Sequence, residues 1–107
     1  MIIMETLEFR INTQPVQPAA GATLSGVVGS GNLEILVRRG HEADVCVITV
    51  KTSARGFGQI WEAVLDEFCT RHPTGGTCID INDMGATPAV VTLRLGQAFS
   101  EYTGGVQ

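Results

Sequence analysis

The chain has 107 residues, 44% of them apolar and 17% charged, with a formal net charge of −4. That length suits one domain over 1–107, and the apolar balance favours a folded globule over a disordered chain. The acidic charge argues against nucleic acid as a partner, since a phosphate binder clusters Lys and Arg, and no apolar run approaches the roughly 20 residues of a membrane span.

Leu7, Phe9 and Ile11 alternate with Thr6, Glu8, Arg10 and Asn12, which predicts a half-buried strand over about 5–12. Pro15 and Pro18 lie in a Gln/Ala/Gly-rich stretch ending at Gly21, which reads as a loop. A second strand is expected over about 22–28. Ser30 follows between Gly29 and Gly31, at a turn into a third strand in which Leu33, Ile35 and Val37 share one face. Two strands joined so tightly make a hairpin. After the polar turn 39–44, the β-branched run Val45–Val50 scarcely alternates, as expected of a strand buried on both faces.

The period then changes. Phe57, Ile60, Trp61, Val64, Leu65 and Phe68 form one stripe of a helix over 57–71, opposite Gln59, Glu62, Asp66, Glu67 and Arg71. Pro73-Thr74-Gly75-Gly76 ends it, and Ile79 with Ile81 marks a fifth strand. Residues 87–102 fit either period, but Thr87-Pro88 supplies an N-cap and a favoured first helical residue, so a helix is expected despite Gly96. The order is ββββαβα, an α+β fold of two layers with a mainly antiparallel sheet of about five strands and two helices on one face.

Few residue patterns here carry chemistry. Cys69-x-x-His72 has a permissible metal spacing, yet Cys46, Cys78 and His41 form no second pair to complete a zinc site. Gly29-Ser30-Gly31 lacks the G-x-S-x-G elbow, and only His41 and His72 offer a base for a catalytic serine. The glycines of 21–31 lack the P-loop lysine and the dinucleotide-binding spacing. No catalytic residue and no metal ligand is therefore assigned. Asp83, ahead of Thr87-Pro88, is placed to cap the last helix or meet its dipole, while Arg38, Arg39, Lys51 and Arg55 form a basic edge able to meet phosphates. Three cysteines in apolar segments point to a reducing compartment, and Glu5 directly after Met1–Met4, with no basic flank, argues against a secretory signal. A cytoplasmic protein is expected.

Two blocks, Gly26-Val27-Val28-Gly29-Ser30-Gly31 and Asp83-Met84-Gly85-Ala86-Thr87-Pro88, together with the Trp61 helix, resemble the acyl carrier subunit of malonate decarboxylase over nearly the whole chain. The resemblance implies that Ser30 carries a covalent 2'-(5''-phosphoribosyl)-3'-dephospho-CoA group, with Gly29 and Gly31 giving a transferase close access. It also implies a carrier with no catalysis of its own. Its partners would be the acyl-transferase and decarboxylase subunits of malonate decarboxylase and the prosthetic-group transferase, its cargo acetyl and malonyl thioesters. The family usually has an acidic residue where Asn32 stands. The alternatives are the acyl carrier subunit of citrate lyase, which bears the same kind of arm, and an unmodified α+β interaction module.

Overall fold

Strand β1, Glu5–Asn12, keeps Leu7, Phe9 and Ile11 half-buried and turns Thr6, Glu8 and Arg10 to solvent, as its alternation demands. The structure is a computed structural model that describes residues 4–16, 27–30 and 32–104, with residues 27–30 described by their backbone. Strands β2 (Val27–Ser30), β3 (Leu33–Arg39) and β4 (Val45–Thr52) follow, then helix α1 (Gly58–Arg71), strand β5 (Thr77–Asp83) and helix α2 (Pro88–Tyr102). The α+β order read from the sequence is the order observed. Of the strand expected over 22–28, residues 22–26 lie outside the described residues, as do 17–21 of the preceding loop.

The strands form one sheet in the order β1-β4-β5-β3-β2. Three neighbouring pairs are antiparallel, and β4 with β5 is parallel. A parallel pair needs a long crossover, which α1 supplies between β4 and β5. The mainly antiparallel sheet of five strands expected from the sequence is therefore observed, with one parallel pair inside it.

One face of the sheet packs on the helices. Leu33, Ile35 and Val37 from β3, Cys46, Ile48 and Val50 from β4, and Ile79 and Ile81 from β5 are buried beneath Leu65 and Phe68 of α1 and Val91, Leu95, Ala98 and Phe99 of α2. The other face is polar, with Arg38 paired to Asp80 at 3.1 Å and Asn82 donating to Glu34 at 3.2 Å. Strand β4 corrects the expectation of burial on both faces: Cys46, Ile48, Val50 and Thr52 are buried, but Val47 and Thr49 only half so. Its central position explains the composition, since β1 and β5 shield its outer face without a second layer.

The ambiguous segment 87–102 is helical because Val91, Leu95, Ala98, Phe99 and Tyr102 all reach the core, leaving Leu93 in solvent. The Thr87 side chain accepts from the Val90 N–H at 3.3 Å, and Pro88 occupies the first turn. On α1 the expected stripe is displaced by one turn. Cys69 joins Trp61, Leu65 and Phe68 in the core, whereas Phe57 and Ile60 at its start are exposed. Both stand at the start of the helix, where the buried core cluster does not include them.

At the far end of the sheet from Ser30, the chain crosses itself at Gly75, whose N–H donates to the Gln14 carbonyl at 2.8 Å and whose carbonyl accepts from Val16 at 3.0 Å. A Cβ there would lie 2.6 Å from the Ala43 carbonyl oxygen and 2.7 Å from that of Thr13. Gly75→Ala is therefore expected to cost about 3 kcal/mol in urea unfolding, because backbone atoms cannot yield as side chains do. Gly96→Ala, where the new Cβ meets nothing within 4 Å, is expected to add about 0.5–1 kcal/mol by restoring helix propensity.

Candidate functional site

Strand register gathers the two motif blocks. Ser30 pairs with Leu33, Leu33 with Asp83, Asp83 with Thr52 and Thr52 with Glu5, so all five strands reach the same end of the sheet. Two strand spacings separate Ser30 from Asp83, about 10 Å. Gly29 pairs with Glu34, and only Gly31 and Asn32 intervene before Leu33. Gly31 lies outside the described residues. The turn is joined to the 83–88 loop directly, by the Met84 N–H donating to the Asn32 carbonyl at 2.9 Å.

Asp83 organises that loop. It is 2% exposed, and its Oδ1 accepts from the Ala86 N–H at 2.8 Å and the Gly85 N–H at 3.2 Å. Its Oδ2 accepts from the Thr52 hydroxyl at 2.8 Å. The Thr52 hydroxyl oxygen in turn accepts from the Ala54 N–H at 3.0 Å, and the Ser53 N–H donates to the Asp83 carbonyl at 3.0 Å. One carboxylate thus ties β5 to the end of β4 and folds the chain back toward α2. The expectation that Asp83 caps α2 is corrected: Thr87 is the cap, and Asp83 holds the two amides that precede it. Gly85 permits the bend, with φ +103, a conformation other residues rarely adopt.

The four basic candidates divide. Lys51 and Arg55 are exposed at the Ser30 end and make no salt bridge among the described residues. Arg38 is committed to Asp80 on the open sheet face, and Arg39, paired in register with Thr77, lies at the opposite end.

The histidines also lie away from Ser30. His41 follows β3 in the turn before β4, and His72 ends α1 with its ring 4.6 Å from that of Phe68. Both belong to the end of the sheet where β5 begins, so neither is placed as a base for Ser30. Cys69 is buried beside the same aromatic cluster, and the Cys46 thiol first, then burial, push its thiol up, which keeps it protonated and a poor nucleophile. Cys46 makes its contact inside the core, 3.4 Å from the Thr77 hydroxyl.

Beside the 83–88 loop, a groove of about 230 Å³ opens between the start of α1 and the start of α2. Phe57, Ile60 and Trp61 form one wall, Ala86, Pro88 and Val91 the other. Sequence periodicity placed Phe57 and Ile60 on the apolar stripe of the helix, and only the tertiary structure shows them to be groove walls. The Thr52–Asp83 contact was missed as well, since nothing in either local pattern signals a partner 31 residues away.

The backbone of Ser30 stands beside a loop rigidified by a satisfied carboxylate, with no acid–base pair assembled around it among the described residues.

A family model described as malonate decarboxylase delta subunit (MdcD) matches residues 20–102. The chain is 52% identical over 101 residues to the malonate decarboxylase acyl carrier protein of Acinetobacter calcoaceticus, covering 94% of this chain and 99% of that one. It is 54% identical over 98 residues to the protein of the same description from Burkholderia cepacia, covering 92% and 90% respectively. A chain in the crystal structure of a Pseudomonas malonate decarboxylase hetero-tetramer in complex with malonate superposes with a TM-score of 0.74 at 40% identity, over 92% of this chain and 98% of that one.

Asp83→Ala is expected to lower stability by about 3 kcal/mol, because it strands two amides and a buried hydroxyl. Amide exchange at Gly85 and Ala86 should accelerate in parallel. Asp83→Asn keeps an oxygen for both amides and should lose less than half as much, which denaturant unfolding of the two variants will compare.

Proposed function

The chain belongs to the malonate decarboxylase acyl carrier family, and on that premise we propose that it carries acyl groups for such an enzyme on a phosphoribosyl-dephospho-CoA arm joined to Ser30. The observation that carries this reading is the meeting of the Ser30 turn with the 83–88 loop at one end of the sheet, through Met84 and Asn32. An anchor needs a hydroxyl held on a fixed turn, without a base to make it a nucleophile toward substrate. Both histidines lie at the opposite end of the sheet, away from the Ser30 backbone.

A terminal thiol on such an arm supplies thioester chemistry, holding the acyl group in a form that stabilises the carbanion left by decarboxylation. The chain's own residues serve the arm in other ways. The Asp83–Thr52 contact fixes the loop beside the anchor, and the exposed Lys51 and Arg55 bring positive charge to the end where phosphates would lie. The flanking Gly29 and Gly31 leave little side-chain bulk for a transferase to pass.

Partner subunits would perform the chemistry. The solved relative comes from a hetero-tetramer, which supports a carrier whose arm visits acyl-transferase and decarboxylase sites after a dedicated transferase has loaded it. Tethering raises the effective concentration of the reactant at each site. Identity of about 50% to malonate decarboxylase carriers favours malonate over citrate as the substrate system. No helix among the described residues is long and apolar enough to cross a membrane, and we assign the carrier to the cytoplasm.

Intact-mass measurement and peptide mapping after co-expression with the transferase should show one arm-sized adduct on Ser30. Ser30→Ala should lose all of it while keeping the wild-type circular dichroism spectrum and melting temperature. An adduct that persists in the variant, or maps elsewhere, would overturn the assignment.

A further inference from the structure

Helix α1 carries more apolar surface at its start than the sheet beneath it covers. Phe57 and Ile60 are 45% and 46% exposed, and Met84 on the adjacent loop 47%. Further along, the two helices close on each other where Phe68 meets Phe99, ring centroids 5.7 Å apart. The gap between them therefore lies at the Ser30 end, as the groove walled by Phe57, Ile60, Ala86 and Pro88 over buried Trp61 and Val91.

We propose that this groove shelters the neutral acetyl-thioester end of the carrier's own arm while the carrier is between partner enzymes, an inference that rests on the loading of Ser30 proposed above. Reach is the first argument. Ser30 stands about 10 Å from Asp83, which lines the groove, and an arm with a nucleotide and a pantetheine chain in series is longer than that. The loop that lines the groove is also tied to the Ser30 turn, since the Met84 amide donates to the Asn32 carbonyl.

Size and charge select the occupant. At about 230 Å³ the groove falls below the roughly 300–1,000 Å³ of sites for drug-sized ligands, so it suits a short acyl end. Its walls are aliphatic and aromatic, and its ionisable lining residue is Asp83. An acetyl end buries a methyl and an uncharged carbonyl there. A malonyl end would bring a second carboxylate against apolar walls and toward Asp83, losing its hydration where no cationic residue lines the groove. The acetyl form is thus held and shielded from water, whereas the malonyl form stays outside, exposed to the decarboxylating partner.

The test compares the unmodified, free-thiol, acetyl and malonyl forms of the full chain, each with its mass and its site on Ser30 confirmed by peptide mapping. Trp61 is the chain's one tryptophan, so its emission reports on the groove, as do the amide resonances of Gly85 and Ala86. The acetyl form should shift all three, and hydroxylamine should cleave its thioester about five-fold or more slowly than acetyl-CoA, a protection expected from burying a small apolar group. The malonyl form should keep the signals of the unmodified protein. Ile60→Lys and Phe57→Ser, both at exposed positions outside the core, should bring cleavage of the acetyl form to the acetyl-CoA rate. Cleavage of the wild-type acetyl form at that rate, with no shift at Gly85, Ala86 or Trp61 in a carrier whose arm is mapped to Ser30, would overturn the proposal. Absence of the arm from Ser30 would instead overturn the loading on which it rests.

Discussion

The buried carboxylate of Asp83 is the contact on which the arrangement of this end of the molecule depends. Its two oxygens are shared among the Thr52 hydroxyl and the Gly85 and Ala86 amides. β4, β5 and the approach to α2 are thereby joined at one point. A carboxylate left unpaired at that depth would carry a heavy desolvation cost, so its hydrogen bonds form together. The Met84–Asn32 backbone contact then extends the same order to the hairpin turn. The local backbone at the Ser30 turn is thus tied to a chain of hydrogen bonds that crosses three strands.

The sheet distributes roles along its length. At one end stand the turn, the 83–88 loop, the apolar groove and the exposed cations Lys51 and Arg55. At the other stand both histidines and the crossing at Gly75, packed too closely to admit a side chain. The second end closes the fold and the first remains available. Such a division leaves the Ser30 end open to approach without disturbing the core.

Much of this was legible in the residues. Alternation over 5–12 and the apolar stripe of 57–71 follow directly from the periods of strand and helix, and Thr87-Pro88 marked the start of α2. The two motif blocks were recognisable as a pair. Their proximity was not, since the pairing of Leu33 with Asp83 spans 50 positions and depends on β5 inserting between β4 and β3. The composition of β4 suggested burial on both faces because β-branched residues serve a shielded central strand equally well. The stripe of α1 named the right face but overran its support, since periodicity does not report where the sheet beneath a helix stops.

By itself the sequence determined the elements, their order and the chemical character of the Ser30 turn: a serine between glycines, without the elbow motif of a hydrolytic serine. These are properties of local spacing and composition, which the backbone periods translate into structure without reference to distant residues. Tertiary structure alone decided that the Ser30 turn and the 83–88 loop share one end, that Asp83 binds Thr52 rather than capping α2, and that Phe57 and Ile60 wall a groove instead of filling the core. Each of these depends on strand order and register, which are set by burial of one sheet face as a whole and are written in no single segment.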